Sequence, residues 1–298
     1  MRTAGARACA LPVAALVAVM AIVRPAAAGP ELASPWTELT NGRVRLIGGA
    51  SAATDARAYL AGIEIGLASG WKTYWRTPGD AGVPPTFEWQ GSANVASVKV
   101  LYPAPSRLEE PAAQTIGYKD GVLFPVVVTP KDASRPVELV LDIEFGICRD
   151  ICIPAQAKLS LALPPTALAA KPSPQLQAAL DRVPRPRAAR RATDPQLRSA
   201  AATLGGAAPR LVFEASFPRG ADSADLFVEA PDGLYVPMPH RMAHAAGPAA
   251  LTADANDALV RFEVDLSRAG NARELQGKTL TLTLVSAAGA AEASWTVP

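Results

Sequence analysis

The chain has 298 residues, of which 49% are hydrophobic, 19% charged and 6% aromatic. The apolar share excludes a disordered chain, and at about 150 residues per domain the length implies roughly two domains, each able to bury a core. A formal charge of +2 argues against a dedicated nucleic-acid binder, and 28 prolines with 22 glycines favour short elements and turns, hence β structure.

Residues 1–28 have the pattern of a secretory signal peptide. Arg2 and Arg7 give a basic start, Ala10 to Val23 is an uncharged and mostly apolar run, and Ala26-Ala27-Ala28 supplies small residues for cleavage. The run is too short to span a bilayer comfortably. Cys9 precedes it and is not placed as a lipoprotein cysteine. Cleavage removes Arg2, Arg7 and Arg24 but no acid, which turns the net charge from +2 to −1. No later stretch reaches about 18 consecutive apolar residues, so the mature chain is expected to be exported and not stably inserted in a membrane.

The fold expected is all-β: two immunoglobulin-like β-sandwiches joined by a Pro/Arg-rich linker with a short helix. The first sandwich is placed at 34–165. There Tyr59, Ala61, Ile63, Ile65 and Leu67 alternate with more varied partners, and Val137, Leu139, Leu141, Ile143 and Phe145 form a clearer period-2 stripe. Shorter candidate strands are Val95–Leu101, Leu123–Val128 and Lys158–Leu163, with turns at Pro78-Gly79-Asp80, Pro84-Pro85 and Lys119-Asp120-Gly121. The linker is placed at 166–196. Its prolines break the alternation, Gln175 to Val183 suits a short helix, and Arg182, Arg185, Arg187, Arg190 and Arg191 read as a solvated basic cluster with no interleaved aromatic residue for nucleic acid. The second sandwich, 197–298, carries the stripes Leu211-Phe213-Ala215-Phe217, Val260-Phe262-Val264-Leu266 and Leu280-Leu282-Leu284.

Signal cleavage leaves two cysteines, Cys148 and Cys152, in a compartment where a pair is expected to be bonded. In an extended chain their Cα atoms would lie about 13 Å apart. A disulfide needs roughly 4.4–6.8 Å, and one helical turn would bring them to about 6.2 Å. Bonding therefore predicts that the strand ends near Gly146 and the chain curls, with Pro154 stopping any helix. Closing so short a loop constrains the unfolded chain by only ~2 kcal/mol, against ~4.7 for a 100-residue loop. The pair suits opening and closing better than stapling, although a structural bond is the alternative. A zinc site lacks further cysteines. Arg149 would favour a thiolate and Asp150 would oppose it.

Three ordered motifs accompany the pair: Gly70-Trp71-Lys72-Thr73-Tyr74-Trp75-Arg76-Thr77-Pro78-Gly79-Asp80-Ala81-Gly82, then Gly117-Tyr118-Lys119-Asp120-Gly121-Val122-Leu123-Phe124-Pro125-Val126, then Cys148 to Pro154. Over about residues 34–165 the chain resembles the N-terminal periplasmic domain of the thiol:disulfide interchange protein DsbD, with the nearer likeness to its ScsB-like, copper-tolerance branch. The resemblance implies an immunoglobulin-like domain in the periplasm. It would pass electrons from a membrane-embedded thiol-disulfide transporter to thioredoxin-fold proteins, with no cofactor. Cys148 and Cys152 would be its redox pair, and Cys152 would form mixed disulfides. The spacing is shorter than in DsbD, as in ScsB-like relatives. The aromatic cap of DsbD falls near Gln114-Thr115-Ile116, which has no ring, so Thr115, Ile116 and a substitute ring from Tyr118 are the expected surroundings. Trp71 and Trp75 read as packing. The chain ends at Pro298, so the electron donor is expected to be a separate protein.

A second cluster, Met238, His240, Met242 and His244, would share one face if extended. Thioether and imidazole ligands suit copper, which makes a copper-binding or copper-tolerance module with an incidental disulfide the alternative function. A purely structural interaction protein is the third reading. The chain lacks Gly-x-Ser-x-Gly, a phosphate loop and His-Glu-x-x-His.

Overall fold

The computed structural model describes residues 32–52, 55–109, 113–242, 257–270 and 272–298. The predicted signal peptide lies outside them. The first part of the chain runs through β1 (Leu32–Ala33), β2 (Thr37–Leu39), β3 (Gly42–Ala52), β4 (Asp55–Leu67), β5 (Lys72–Gly79), β6 (Thr86–Glu88), β7 (Val95–Val100), β8 (Ser106–Glu109), β9 (Gln114–Lys119), β10 (Gly121–Pro130), β11 (Val137–Cys148) and β12 (Cys152–Leu163). One sheet has the order β1-β3-β4-β10-β7, with β2 on β3. The other has the order β12-β11-β5-β9-β8, with β6 on β11.

Alternation explains how they pack. Val137, Leu139, Leu141, Ile143, Phe145 and Ile147 of β11 are buried, as are Val44, Leu46, Ile63, Phe124 and Val126 from the facing sheet, and all belong to one core. Burying such side chains, at about 1.5–3 kcal/mol each, is the main force holding the layers together.

After Leu163 the chain makes a 3-10 turn (Pro165–Ala169) and the helix α1 (Pro174–Asp181), capped by the Ser173 hydroxyl, which accepts from the Leu176 amide. Leu176 and Ala179 are buried against β4 and β10 residues. In the basic stretch that follows, Arg182, Arg187, Arg190 and Arg191 are exposed, as a solvated cluster requires, and Arg185 is partly buried. Arg185 pairs with Asp194 at 2.8 Å, a carboxylate with no exposure, and Arg191 pairs with Asp181 at 3.0 Å. Asp194, which also accepts from the Arg191 amide at 2.7 Å, needs Arg185 because an unpaired buried charge is costly. Arg185 and Pro186 form β13 (Arg185–Pro186), parallel to the final strand.

The remaining strands are β14 (Gln196–Thr203), β15 (Arg210–Pro218), β16 (Asp225–Glu229), β17 (His240–Arg241), β18 (Asp257–Asp265), β19 (Thr279–Ser286) and β20 (Gly289–Thr296). They form two four-stranded sheets, β13-β20-β19-β16 and β14-β15-β18-β17. The stripes read from sequence, Leu211 to Phe217, Val260 to Leu266 and Leu280 to Leu284, make their shared core. The fold is all-β with two immunoglobulin-like sandwiches.

Residues from Glu31 to Pro298 form one compact unit. Phe227 of β16 packs on Trp75 of β5, with ring centroids 5.9 Å apart, and both are fully buried. Arg76 donates to Glu229 through two nitrogens at 2.8 and 2.6 Å and to Glu292 at 3.0 Å, while its guanidinium lies over the Trp75 ring. Burial opposes the Arg76 charge, but Glu229 and Glu292 outweigh that and hold it protonated more firmly than usual. Arg107 makes a second fork, to Asp225. No helix among the described residues is long and apolar enough to cross a membrane.

Candidate redox site

Cys148 ends β11 and Cys152 begins β12. The two are bonded, with Cα atoms 4.1 Å apart. The expected break at Gly146 does not occur. Gly146 pairs with Pro154 inside an uninterrupted ladder that runs from Val137↔Leu163 to Cys148↔Cys152. The reversal comes later, over Arg149, Asp150 and Ile151, where the Arg149 amide donates to the Ile151 carbonyl at 3.0 Å. A hairpin brings directly opposed Cα atoms to about 4.5–5.5 Å, so the sulfurs meet without any helical curl.

The two sulfurs have unlike surroundings. Cys148 is 1% exposed, whereas Cys152 is exposed at the start of its strand. Ile151, at the hairpin tip, is 67% exposed. Cys148 and Gly146 fall on the face of β11 opposite the core stripe, and Tyr74 lies beside them on that face. A Cβ placed on Gly146 would lie 3.4 Å from the Tyr74 ring and 3.5 Å from the Cys148 Sγ. The Tyr74 hydroxyl is 3.3 Å from the Cys152 Sγ. Tyr74 itself is 2% exposed. Its ring is covered by Gly82, where φ is +118° and an added Cβ would come within 2.6 Å of ring atoms. Only glycine fits so close an approach in this backbone conformation.

The sheet supplies the alignment. Lys72 of β5 stands opposite Cys148 and also opposite Lys119 of β9. The turn after β9 fixes the start of β5: the Asp120 amide donates to the Trp71 carbonyl, and the Gly70 amide donates to the Asp120 carboxylate at 2.6 Å. Arg149 and Asp150, the opposed charges of the sequence reading, pair with each other at 3.0 Å. Both are more than half exposed, and such a pair is worth about 0–1 kcal/mol. The Arg149 guanidinium also lies 5.2 Å from the Trp71 ring centroid.

The other residues singled out from sequence lie as follows. Thr115 stands opposite Gly79 at the base of the loop that covers Tyr74, with its own side chain buried. Ile116 belongs to the core. Tyr118 pairs with Thr73, but its hydroxyl donates to the Pro103 carbonyl at 2.8 Å and its ring meets Phe124 edge-on. The ring at the sulfurs is therefore that of Tyr74, which lies in the first sequence motif but is given no role there. Met238 is buried in contact with the first core, whereas His240 and Met242 are exposed. His244 lies outside the described residues. Among the described residues, no three of His, Cys, Asp and Glu are grouped to hold a metal ion.

Fold and site together define a protein of two β-sandwiches whose first sandwich carries a hairpin disulfide with one open sulfur and one covered. Residues 48–164 match the family model described as thiol:disulfide interchange protein DsbD, N-terminal. The first sandwich carries this match to the DsbD N-terminal family, over a span that includes all three sequence motifs. Residues 182–298 match a domain of unknown function, DUF8393. The chain is also similar to the crystal structure of the N-terminal periplasmic domain of ScsB from Proteus mirabilis, at 21% identity and a TM-score of 0.64, over 90% of this chain and 98% of that one. That likeness extends across both sandwiches and establishes the fold. No curated protein matches the chain.

Proposed function

We propose that the protein is a periplasmic thiol–disulfide relay, in which the Cys148–Cys152 bond opens and closes as reducing equivalents pass from a membrane-embedded donor to thioredoxin-fold acceptors. The carrying observation is the asymmetry of the pair: Cys152 is exposed and Cys148 is 1% exposed. The family matched by residues 48–164 supports thiol–disulfide exchange, and the periplasmic origin of the ScsB domain supports the compartment.

The chemistry follows from which sulfur is reachable. A donor thiolate attacks the Cys152 Sγ in line, and Cys148 leaves as a thiolate. A second donor thiolate then attacks the donor sulfur of the mixed disulfide, which frees Cys152 as a thiolate and leaves the donor oxidised. In the forward half-reaction the Cys152 thiolate attacks an acceptor disulfide. Cys148 next attacks the Cys152 Sγ, re-forms the internal bond and releases the acceptor as a dithiol. Two electrons pass in each half. The Tyr74 hydroxyl stands where it donates to the Cys152 thiolate, and hydrogen bonds to a charged form favour that form.

Trapping in cells tests this. Cys148→Ser leaves Cys152 able to attack but nothing to resolve the product, so covalent adducts through Cys152 are expected. Cys152→Ser should give almost none, because Cys148 is covered. Absence of adducts from both variants, or equal yields, would sink the proposal.

A further inference from the structure

The loop that covers the site is held from outside the first sandwich. It leaves β5 at Gly79 and runs through Asp80, Ala81, Gly82 and Val83, all exposed. Asp80 is its anchor. The Asp80 amide donates to the Gln114 carbonyl at 3.0 Å, and one carboxylate oxygen accepts from the Gln114 amide at 3.1 Å. The other carboxylate oxygen accepts a 2.6 Å hydrogen bond from the hydroxyl of Tyr235, which belongs to the second sandwich. Two residues on, Gly82 lies against the Tyr74 ring, and Tyr74 reaches the Cys152 sulfur.

We propose that Tyr235 is a positioning residue for the redox pair: by holding Asp80, the second sandwich keeps the 79–83 loop closed on Tyr74 and so keeps Cys148 covered. Two observations support this. The Tyr235 ring is 46% exposed, so its place is not set by burial in the second core. The end of β5 that leads into the loop is also tied across the interface, since the Thr77 hydroxyl donates to Glu229 at 2.8 Å and Arg76 grips the same carboxylate. The second sandwich thus fixes both the strand that carries Tyr74 and the loop that lies on it. A partner that engaged the Tyr235 segment would loosen the cover and change how readily Cys148 becomes available to resolve a mixed disulfide.

The inference rests on the reading of Cys148 and Cys152 as an exchange pair, but its test does not require exchange with any protein. In the chain carrying Cys9→Ser and Cys152→Ser, the rate of labelling of the one remaining thiol, at Cys148, by a maleimide reports how often the cover opens. Tyr235→Phe removes only the hydroxyl, and Asp80→Asn keeps the shape of the anchor. Each is expected to raise the labelling rate about fivefold, the order expected when one hydrogen bond to a charged group is lost at an exposed site, with the thermal midpoint unchanged. Unchanged labelling in both variants would overturn the proposal. So would faster labelling that tracks a fall in the midpoint, which would make Tyr235 a stability residue. Failure of the trapping experiment with normal cover opening would count against the relay and leave the clamp standing.

Discussion

The Tyr74 hydroxyl and the Cys152 sulfur, 3.3 Å apart, come from strands joined only through the sheet, 78 positions apart in the chain. Tyr74→Phe removes this donor and leaves the ring that covers Cys148. With less support for the Cys152 thiolate, alkylation of Cys152 by iodoacetamide at pH 7 in the Cys148→Ser background should slow about fivefold. An unchanged rate would show that the hydroxyl does not act on the thiolate.

Gly82→Ala should disturb the same site through sterics. The added methyl would meet the Tyr74 ring at 2.6 Å in a backbone conformation that favours glycine. Strain of this kind costs of order 1–3 kcal/mol. The thermal midpoint should fall by about 5 °C, with Cys148 labelled faster.

Loss of Arg76 tests the joint between the sandwiches. Arg76→Ala leaves Glu229 and Glu292 facing each other without their cation. Breaking a largely desolvated pair by removing one partner costs about 3 kcal/mol, measurable by urea unfolding. Arg76→Lys should recover only part of that, because a lysine lacks the planar fork.

High pH should unfold the protein through its buried phenols. Burial pushes Tyr118 well above the ordinary tyrosine range, reinforced by Tyr102, and Tyr59 is raised by burial as well. In the unfolded chain these phenols ionise near pH 10 while the folded chain still holds their protons. Their contribution is therefore complete below about pH 10 and declines as pH rises further. Tyr118→Phe should flatten that alkaline decline. It should also cost about 1–3 kcal/mol at neutral pH, because the Pro103 carbonyl loses its donor.

Most of the two cores was legible because one-sided burial writes itself as alternation. Val137 to Ile147 and Leu211 to Phe217 are buried as their period requires. The signal fails where the site lies. From Phe145 to Cys148 every residue of β11 is buried, so the in–out alternation stops there although the strand continues. Thr73, Tyr74 and Trp75 are likewise all buried, which hides their alternation and leaves Tyr74 without a signal of its own. The cysteine pair itself was visible from composition and spacing. Its turn was misjudged because intrachain helix geometry was applied to what is a cross-strand pair. The basic cluster of the connector is exposed at Arg182, Arg187, Arg190 and Arg191 as read; only the burial of Arg185 against Asp194 had no sequence signature.

Reduction of the folded, full-length chain by a reduced thioredoxin-fold protein tests the central claim most directly, read as alkylated thiols by mass spectrometry after acid quenching. If the pair is a working redox centre, two alkyl groups are gained on the native chain, at Cys148 and Cys152, beyond any at Cys9, while the donor loses two thiols. Retention of the bond in the folded chain, with a urea-unfolded sample reduced by the same donor, would contradict the relay and leave the disulfide a structural one.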